Sequence, residues 1–208
     1  MCTLTMKVGE IMETKENKKV ERDEQKNRMN NTGLPLRFLM SQFRSLSRSL
    51  CYLALKLKSK EIGTSIRCEG KLRISGTKNI KIGNHCHFDK NVELHTEGRG
   101  YIHLGENVKI GRHVSIFSSF NITVEDNTYI GDGVVFRDTF SESEKEVAQK
   151  EGRSVYIGKD VWIGKGTQIH AGVTIGHGAT VSANSVVLRS IPPKVIAGGS
   201  PAKVIKEN

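Results

Sequence analysis

An aliphatic residue returns every sixth position through Ile157-Gly-Lys-Asp-Val-Trp-Ile163-Gly-Lys-Gly-Thr-Gln-Ile169-His-Ala-Gly-Val-Thr-Ile175-Gly-His-Gly-Ala-Thr-Val181-Ser-Ala-Asn-Ser-Val-Val187. A period of six fits neither the 3.6-residue helix nor the two-residue alternation of a half-buried strand. It fits a short strand followed by a turn, three times per coil, with the leading residue of each hexad pointing inward and stacking on its counterpart one coil away. Such a repeat has to be read before any local secondary structure.

Working outward, the same spacing appears in Ile62, Cys68, Ile74; Ile82, Phe88, Leu94; Leu104, Ile110, Ile116; and Val124, Ile130, Phe136. Glycine follows the leading residue at Gly63, Gly83, Gly105, Gly111, Gly131, Gly158, Gly164 and Gly176, where it is expected to permit a sharp corner. Small or β-branched residues stand four places on, as at Cys86, Val92, Val114, Val161, Thr167 and Ala179, and suit short strands. The pattern predicts an all-β parallel β-helix of about six coils, roughly 29 Å tall at ~4.8 Å per strand spacing. Its core is expected to be one side chain wide. That explains an aromatic content of only 6% and 21 glycines in 208 residues.

The phase of the repeat resets after 74, 94, 116 and 136. Small extra turns are therefore expected near 76–79, 96–101 and 118–121, and a long projecting loop at 137–154. A long loop on an otherwise regular repeat favours function.

The chain before the repeats divides in two. Residues 1–33 alternate charges with few large apolar residues, which predicts a disordered tail. Residues 34–61 place Leu36, Leu39, Phe43, Leu46, Leu50, Leu53 and Leu57 on one stripe of an amphipathic helix. Over 34–60 that helix carries Arg37, Arg44, Arg48, Lys56, Lys58 and Lys60 and no acid, supplying six of the net +10 charges. The stripe packs on the repeats, lies on an anionic membrane surface, or pairs with another helix. No nucleic-acid motif accompanies the charge. No run of 18 apolar residues predicts a spanning helix. The four cysteines, Cys2, Cys51, Cys68 and Cys86, form no metal-binding spacing and are expected to be reduced thiols. That, with no secretory pattern at the start, gives an expectation of a cytoplasmic protein, peripheral at the inner membrane face if the helix binds lipid.

Three strings go further: Tyr156-Ile-Gly-Lys-Asp-Val-Trp-Ile-Gly164, Ala171-Gly-Val-Thr-Ile-Gly176, and Ile191-Pro-Pro-Lys-Val-Ile-Ala-Gly-Gly-Ser-Pro-Ala-Lys-Val-Ile205. They resemble the hexapeptide-repeat acyltransferases, and most closely the branch that O-acetylates sugars and bacterial surface polysaccharides. The resemblance covers residues 62–205. It implies a left-handed winding for the β-helix over 62–191, with 192–208 as a C-terminal tail. It also implies a homotrimer, acetyl-CoA as donor, and a saccharide acceptor bound between neighbouring prisms beside a projecting loop; no Cys/His spacing fits a zinc site, so no metal is expected.

Acetyl transfer to a hydroxyl needs a base for the departing proton. The resemblance implies a histidine just after the hexad that precedes the long loop. Here that place reads Phe136-Arg-Asp-Thr-Phe-Ser-Glu-Ser143, with no histidine. Glu142, Asp138 and His170 stand as candidate bases. A non-catalytic scaffold is the alternative, and sugar N-acetylation a further one. The resemblance and position give Arg137 and Trp162 as acceptor-binding candidates. Motif position gives Ala171, Thr174, Ala179, Ala183, Arg189 and Lys203 as coenzyme-binding ones. Absence of a P-loop or Rossmann glycine pattern leaves nucleotide hydrolysis and hydride transfer unsupported.

Overall fold

A computed structural model of the chain describes Leu55, Leu57, residues 59–139 and residues 154–207. The expected tail (1–33), nearly all of the helix, and loop residues 140–153 lie outside the described residues. The first coil comprises β1 (Glu61–Ile62), β2 (Arg67–Cys68) and β3 (Leu72–Gly76), the second β4 (Ile80–Ile82), β5 (His87–Phe88) and β6 (Val92–Thr96). The third comprises β7 (Tyr101–Leu104), β8 (Lys109–Ile110) and β9 (Ser115–Ser118), the fourth β10 (Asn121–Val124), β11 (Tyr129–Ile130) and β12 (Val135–Arg137). The fifth comprises β13 (Val155–Ile157), β14 (Trp162–Ile163) and β15 (Gln168–Ile169), the sixth β16 (Thr174–Ile175), β17 (Thr180–Val181) and β18 (Val186–Val187).

Equivalent strands of successive coils pair in parallel, which makes three faces: β1-β4-β7-β10-β13-β16, β2-β5-β8-β11-β14-β17, and β3-β6-β9-β12-β15-β18. The result is a parallel β-solenoid of six coils. Of the expected tail 192–208, the described residues 192–207 instead continue it. Ile191 bridges Ile175 in parallel, then β19 (Val195–Gly199) adds to the second face and β20 (Ala202–Glu207) folds back on it antiparallel. Val195 and Ala197 are buried, so this extra turn covers the end of the core.

Of the eighteen leading positions, all but Ile62 in the first coil are buried. The core is broader than one side chain per hexad, however. Val92, Val108, Val114, Val134, Val161, Thr167, Val173 and Ala179 are buried as well, because residues two apart on a strand share a face. The glycines after the leading residues act differently from expectation too. Positive φ falls two residues later, at His85, Asn107, Asn127 and Gly133 among others. The leading glycines are required for close approach: a Cβ on Gly131 would stand 2.7 Å from the Lys165 amide nitrogen, and one on Gly164 would strike the backbone of Ala183.

Leu55 is helical and fully buried, and its carbonyl accepts from the Ser59 amide at 2.8 Å. Leu57, on the predicted apolar stripe, is 62% exposed. At the helix end that can be described, a residue off the stripe makes the contact. The expectation of four reduced thiols also fails, since Cys68 is disulfide-bonded. Cys86 is free and buried, donates to the Gly105 carbonyl oxygen at 3.1 Å, and has its thiol pushed up to about 11 by desolvation.

Exposed ion pairs tie coils at their corners: Lys159 to Asp126 at 2.9 Å and Arg112 to Asp132 at 2.7 Å. The Lys159 ammonium, then the Glu106 amide, hold the Asp126 carboxyl below its ordinary range. The Arg112 guanidinium, then the Arg112 amide, do the same for Asp132. A carboxyl depressed in the folded state stabilises above its unfolded value, and that contribution is lost as pH falls through the folded one. The unfolding midpoint is therefore expected to fall less steeply below about pH 4 in an Asp126→Asn/Asp132→Asn variant than in the parent. Equal slopes in thermal melts from about pH 5 to pH 2 would contradict this.

Candidate functional site

All the sequence insertions emerge at one corner, between the third and first faces: after β3, β6, β9 and β12. Strands leading into this corner are longer than the two-residue norm, and their register stacks Gly76 on Thr96 and Thr96 on Ser118. Thr96 and Ser118 are polar but buried. Thr96 Oγ1 donates to the Thr77 carbonyl oxygen at 2.7 Å, and Thr77 Oγ1 donates to Thr96 Oγ1 at 2.9 Å. One coil above Ser118 comes Asp138, fully buried. Its carboxylate accepts from Ser118 Oγ at 2.7 Å, the Ser119 amide at 2.7 Å and the Phe120 amide at 2.9 Å. Asp138, expected as a base, is thus occupied in holding the 118–121 turn.

Beside this buried stack runs an outward column on the third face: Ser75, His95, Phe117 and Arg137, paired in that order. Ser75 Oγ and His95 Nδ1 are 2.8 Å apart. The His95 ring lies 6.1 Å from that of Phe117, and the Arg137 guanidinium carbon sits 5.0 Å over the Phe117 ring, within cation–π range. Phe136 pairs with Ile169, so the next residues, Arg137 and His170, stand opposite each other on neighbouring coils. His170 is half-buried. Two residues back along the same strands, Arg73, Glu93 and Ser115 line a cleft of about 220 Å³ together with Lys71 and His113.

The structure therefore brings Arg137, Asp138 and His170 to one corner, with Ala171 directly after His170 and exposed Arg189 after β18. Glu142 lies outside the described residues. Thr174 is exposed on the first face, its amide donating to Ser190 Oγ at 3.0 Å. Ala179, expected among the coenzyme-binding residues, has a fully buried side chain. Ala183 is exposed at the corner between the second and third faces, and Lys203 is exposed on β20 opposite Gly198. Trp162 is 54% exposed on the second face and stacks on Tyr129, centroids 4.2 Å apart and planes 25° from parallel. Within one chain it is not part of the loop corner.

Phe117 and Tyr129 carry no expectation from the sequence, where His95 reads as a solvated corner residue. Each signal was a register one. Tyr129 and Trp162 both precede a leading isoleucine, and His95 and Phe117 both follow a leading residue on the face that feeds the insertions. Among the described residues no group of three or more His, Cys, Asp or Glu is placed to hold a metal ion, and no helix is long and apolar enough to cross a membrane.

Comparison with known proteins agrees with this fold. Residues 154–189 match the family described as bacterial transferase hexapeptide (six repeats). The fold is similar to that of AntD, an N-acyltransferase from Bacillus cereus solved with dTDP and 3-hydroxybutyryl-CoA. That match has a TM-score of 0.63 at 23% identity and covers 74% of this chain and 85% of that one. A variant of the same enzyme, solved with dTDP-4-amino-4,6-dideoxyglucose and coenzyme A, matches at 22% identity with a TM-score of 0.63, over 74% and 86% of the two chains. The hexapeptide-repeat acetyltransferase VCA0836 from Vibrio cholerae, solved with acetyl coenzyme A, matches at 26% identity with a TM-score of 0.53, over 75% of each chain. No curated protein is significantly similar in sequence.

Proposed function

From a chain that carries the hexapeptide repeat of bacterial transferases and folds as hexapeptide-repeat acyltransferases do, we propose acetyl transfer from acetyl-CoA to a hydroxyl of a saccharide. The observation that carries this reading is the match over residues 154–189, together with a similar solved acetyltransferase that binds acetyl-CoA. The loop corner supplies the polar groups the reaction needs. The acceptor oxygen attacks the thioester carbonyl carbon, the carbon–sulfur bond breaks, and the hydroxyl proton passes through a protein base to the departing thiolate. Arg137, exposed and steadied on Phe117, suits hydrogen bonding to sugar hydroxyls. Arg189 and Lys203, both exposed and cationic, suit the coenzyme phosphates. A trimer would complete this site by setting the Tyr129–Trp162 stack of one chain against the loop corner of the next.

AntD favours a second reading, N-acylation of an amino-sugar nucleotide, since its solved complexes include such a sugar. The test is free-thiol release from acetyl-CoA with glucose, galactose, N-acetylglucosamine, their UDP derivatives, and glucosamine. Products are then treated with hydroxylamine, which cleaves esters and spares amides. Hydroxylamine-labile product supports O-acetylation, and stable product on amino sugars moves the reading to N-acetylation. Coenzyme binding without thiol release on any acceptor refutes catalysis and leaves the scaffold.

A further inference from the structure

The geometry points to a phosphate-binding subsite at the corner between the second and third faces, and so to an acceptor sugar that carries a phosphate. The inference rests on the acyl-transfer reading above and narrows its substrate class. It concerns the cleft of about 220 Å³ on the first three coils.

Two columns of side chains flank this cleft. Lys71, Asn91 and His113 come from the turns that enter the third face, where Asn91 and His113 have φ of 58° and 57°. Arg73, Glu93 and Ser115 follow two residues later and pair in that order on β3, β6 and β9. Ligand pockets are mostly lined by apolar side chains. Here every lining residue except Val92 is polar or charged. Both permanent cations, Lys71 and Arg73, belong to the first coil and give the cleft a cationic end. Lys90 brings a third cation to the same corner, its stem against Gly70, where an added Cβ would stand 2.8 Å from Lys90 Cγ.

The cations of the cleft are loosely held. Lys81, Arg112 and Lys159 grip Glu61, Asp132 and Asp126 at 2.7, 2.7 and 2.9 Å. Arg73 and Glu93 stand 3.8 Å apart, beyond hydrogen-bond length. With side chains 61% and 30% exposed, that pair is weak. Lys71 has no ion-pair partner among the described residues. Arg73 therefore keeps its planar fork of N–H donors for an anion, which it can grip through two parallel bonds, while the Lys71 ammonium adds a point charge. A phosphate, with up to two charges and three free oxygens, matches both cations, where a single carboxylate would leave one unmatched. The cleft is smaller than the ~300–1,000 Å³ that encloses a whole drug-sized ligand, so it takes the phosphate and the adjoining ring edge and leaves the rest outside. Glu93, Asn91 and Ser115 then offer acceptors and donors to ring hydroxyls. Ser75 and His95 lie ~6.6 Å further along the same strands, in the column that leads to Arg137. A sugar anchored by its phosphate thus extends toward the loop corner. Acetylation then precedes the joining of the sugar to a chain, because a glycosyl transfer expels the phosphate that this cleft recognises.

The experiment uses the full-length chain and its Lys71→Gln, Arg73→Gln and Glu93→Gln variants. Calorimetry with UDP is run at saturating coenzyme A, so that the coenzyme's own phosphates are already seated. UDP should bind the parent, about tenfold or more weakly to Lys71→Gln and to Arg73→Gln, and at least as tightly to Glu93→Gln, which removes the competing carboxylate. Thiol release from acetyl-CoA is then compared for glucose, glucose 1-phosphate, UDP-glucose and glucuronic acid, and for the galactose and N-acetylglucosamine counterparts of the first three. On the sugar that is turned over, the phosphorylated forms should exceed the free one in kcat/KM by about tenfold or more. Lys71→Gln and Arg73→Gln should erase that margin and leave the free sugar and the KM for acetyl-CoA within about threefold. Equal use of the 1-phosphate and the UDP form assigns a single phosphate, and preference for the UDP form with the same dependence on Lys71 and Arg73 assigns the diphosphate of a sugar nucleotide. Preference for glucuronic acid overturns the inference in favour of a carboxylate site. UDP binding that is absent, or indifferent to both cations, overturns it too. A KM for acetyl-CoA raised about tenfold in the Lys71 and Arg73 variants overturns it in favour of the coenzyme's phosphates. UDP bound through Lys71 and Arg73 with no thiol release on any acceptor refutes acyl transfer and leaves the phosphate site standing, whereas turnover of free sugars without UDP binding refutes the phosphate site alone.

Discussion

Replacing Asp138 with alanine is expected to cost about 2–5 kcal/mol of folding stability, although the residue is a surface-loop neighbour by sequence. Its carboxylate is fully buried and is approached by three donors within 2.9 Å. Ser118 has an escape, because its hydroxyl also lies 3.0 Å from the Tyr101 carbonyl oxygen and can turn its single proton there. The Ser119 and Phe120 amides, both part-buried, lose this acceptor, and each loss costs up to the ~1–3 kcal/mol of a buried donor stripped of its partner. Asp138→Asn keeps one acceptor oxygen and should cost roughly half as much. Urea unfolding of the two variants checks this. A loss under about 1 kcal/mol for Asp138→Ala would mean that the carboxylate does not organise the turn and would return it to the list of candidate bases.

Phe136→Ala should be of similar size, about 3–5 kcal/mol. Phe136 is fully buried in β12, paired with Ile116 below and Ile169 above. A prism core has no second layer to slump into the space, and backbone hydrogen bonds to both neighbouring coils keep those coils from closing on it. Phe136→Leu, which leaves most of the volume filled, should cost less than about 1.5 kcal/mol. Ile62→Ala, at the half-buried end of the ladder, should also cost far less than Phe136→Ala. If Phe136→Ala and Ile62→Ala prove equal in urea melts, the ladder is not filled as described.

How much of this was written in the chain differs by element. The six coils were legible because every inward slot needs an apolar or small residue in every coil, so the constraint repeats and cannot hide. The resets at 76–79, 96–101, 118–121 and 137–154 were legible as breaks in the same rhythm. What they shared was not legible. Only the wound chain shows that all four open at one corner, because residues such as Ser75, His95, Phe117 and Arg137 are about 20 apart in sequence and adjacent in space. Ala179 shows the converse. Its motif position suggested contact with the coenzyme, yet the side chain two before a leading valine points inward with it, as strand alternation demands.

The sequence by itself determined the period, the coil count and the placement of the loop. Those follow from burial, which acts on each hexad alone. Tertiary structure decided which polar residue serves which purpose. Asp138 became a structural acceptor because three donors converge on it, and His95 meets Ser75 at 2.8 Å because that residue stands one coil below. Hydrogen-bond partners in a solenoid come from the next coil, and the insertions set how many residues away that partner is.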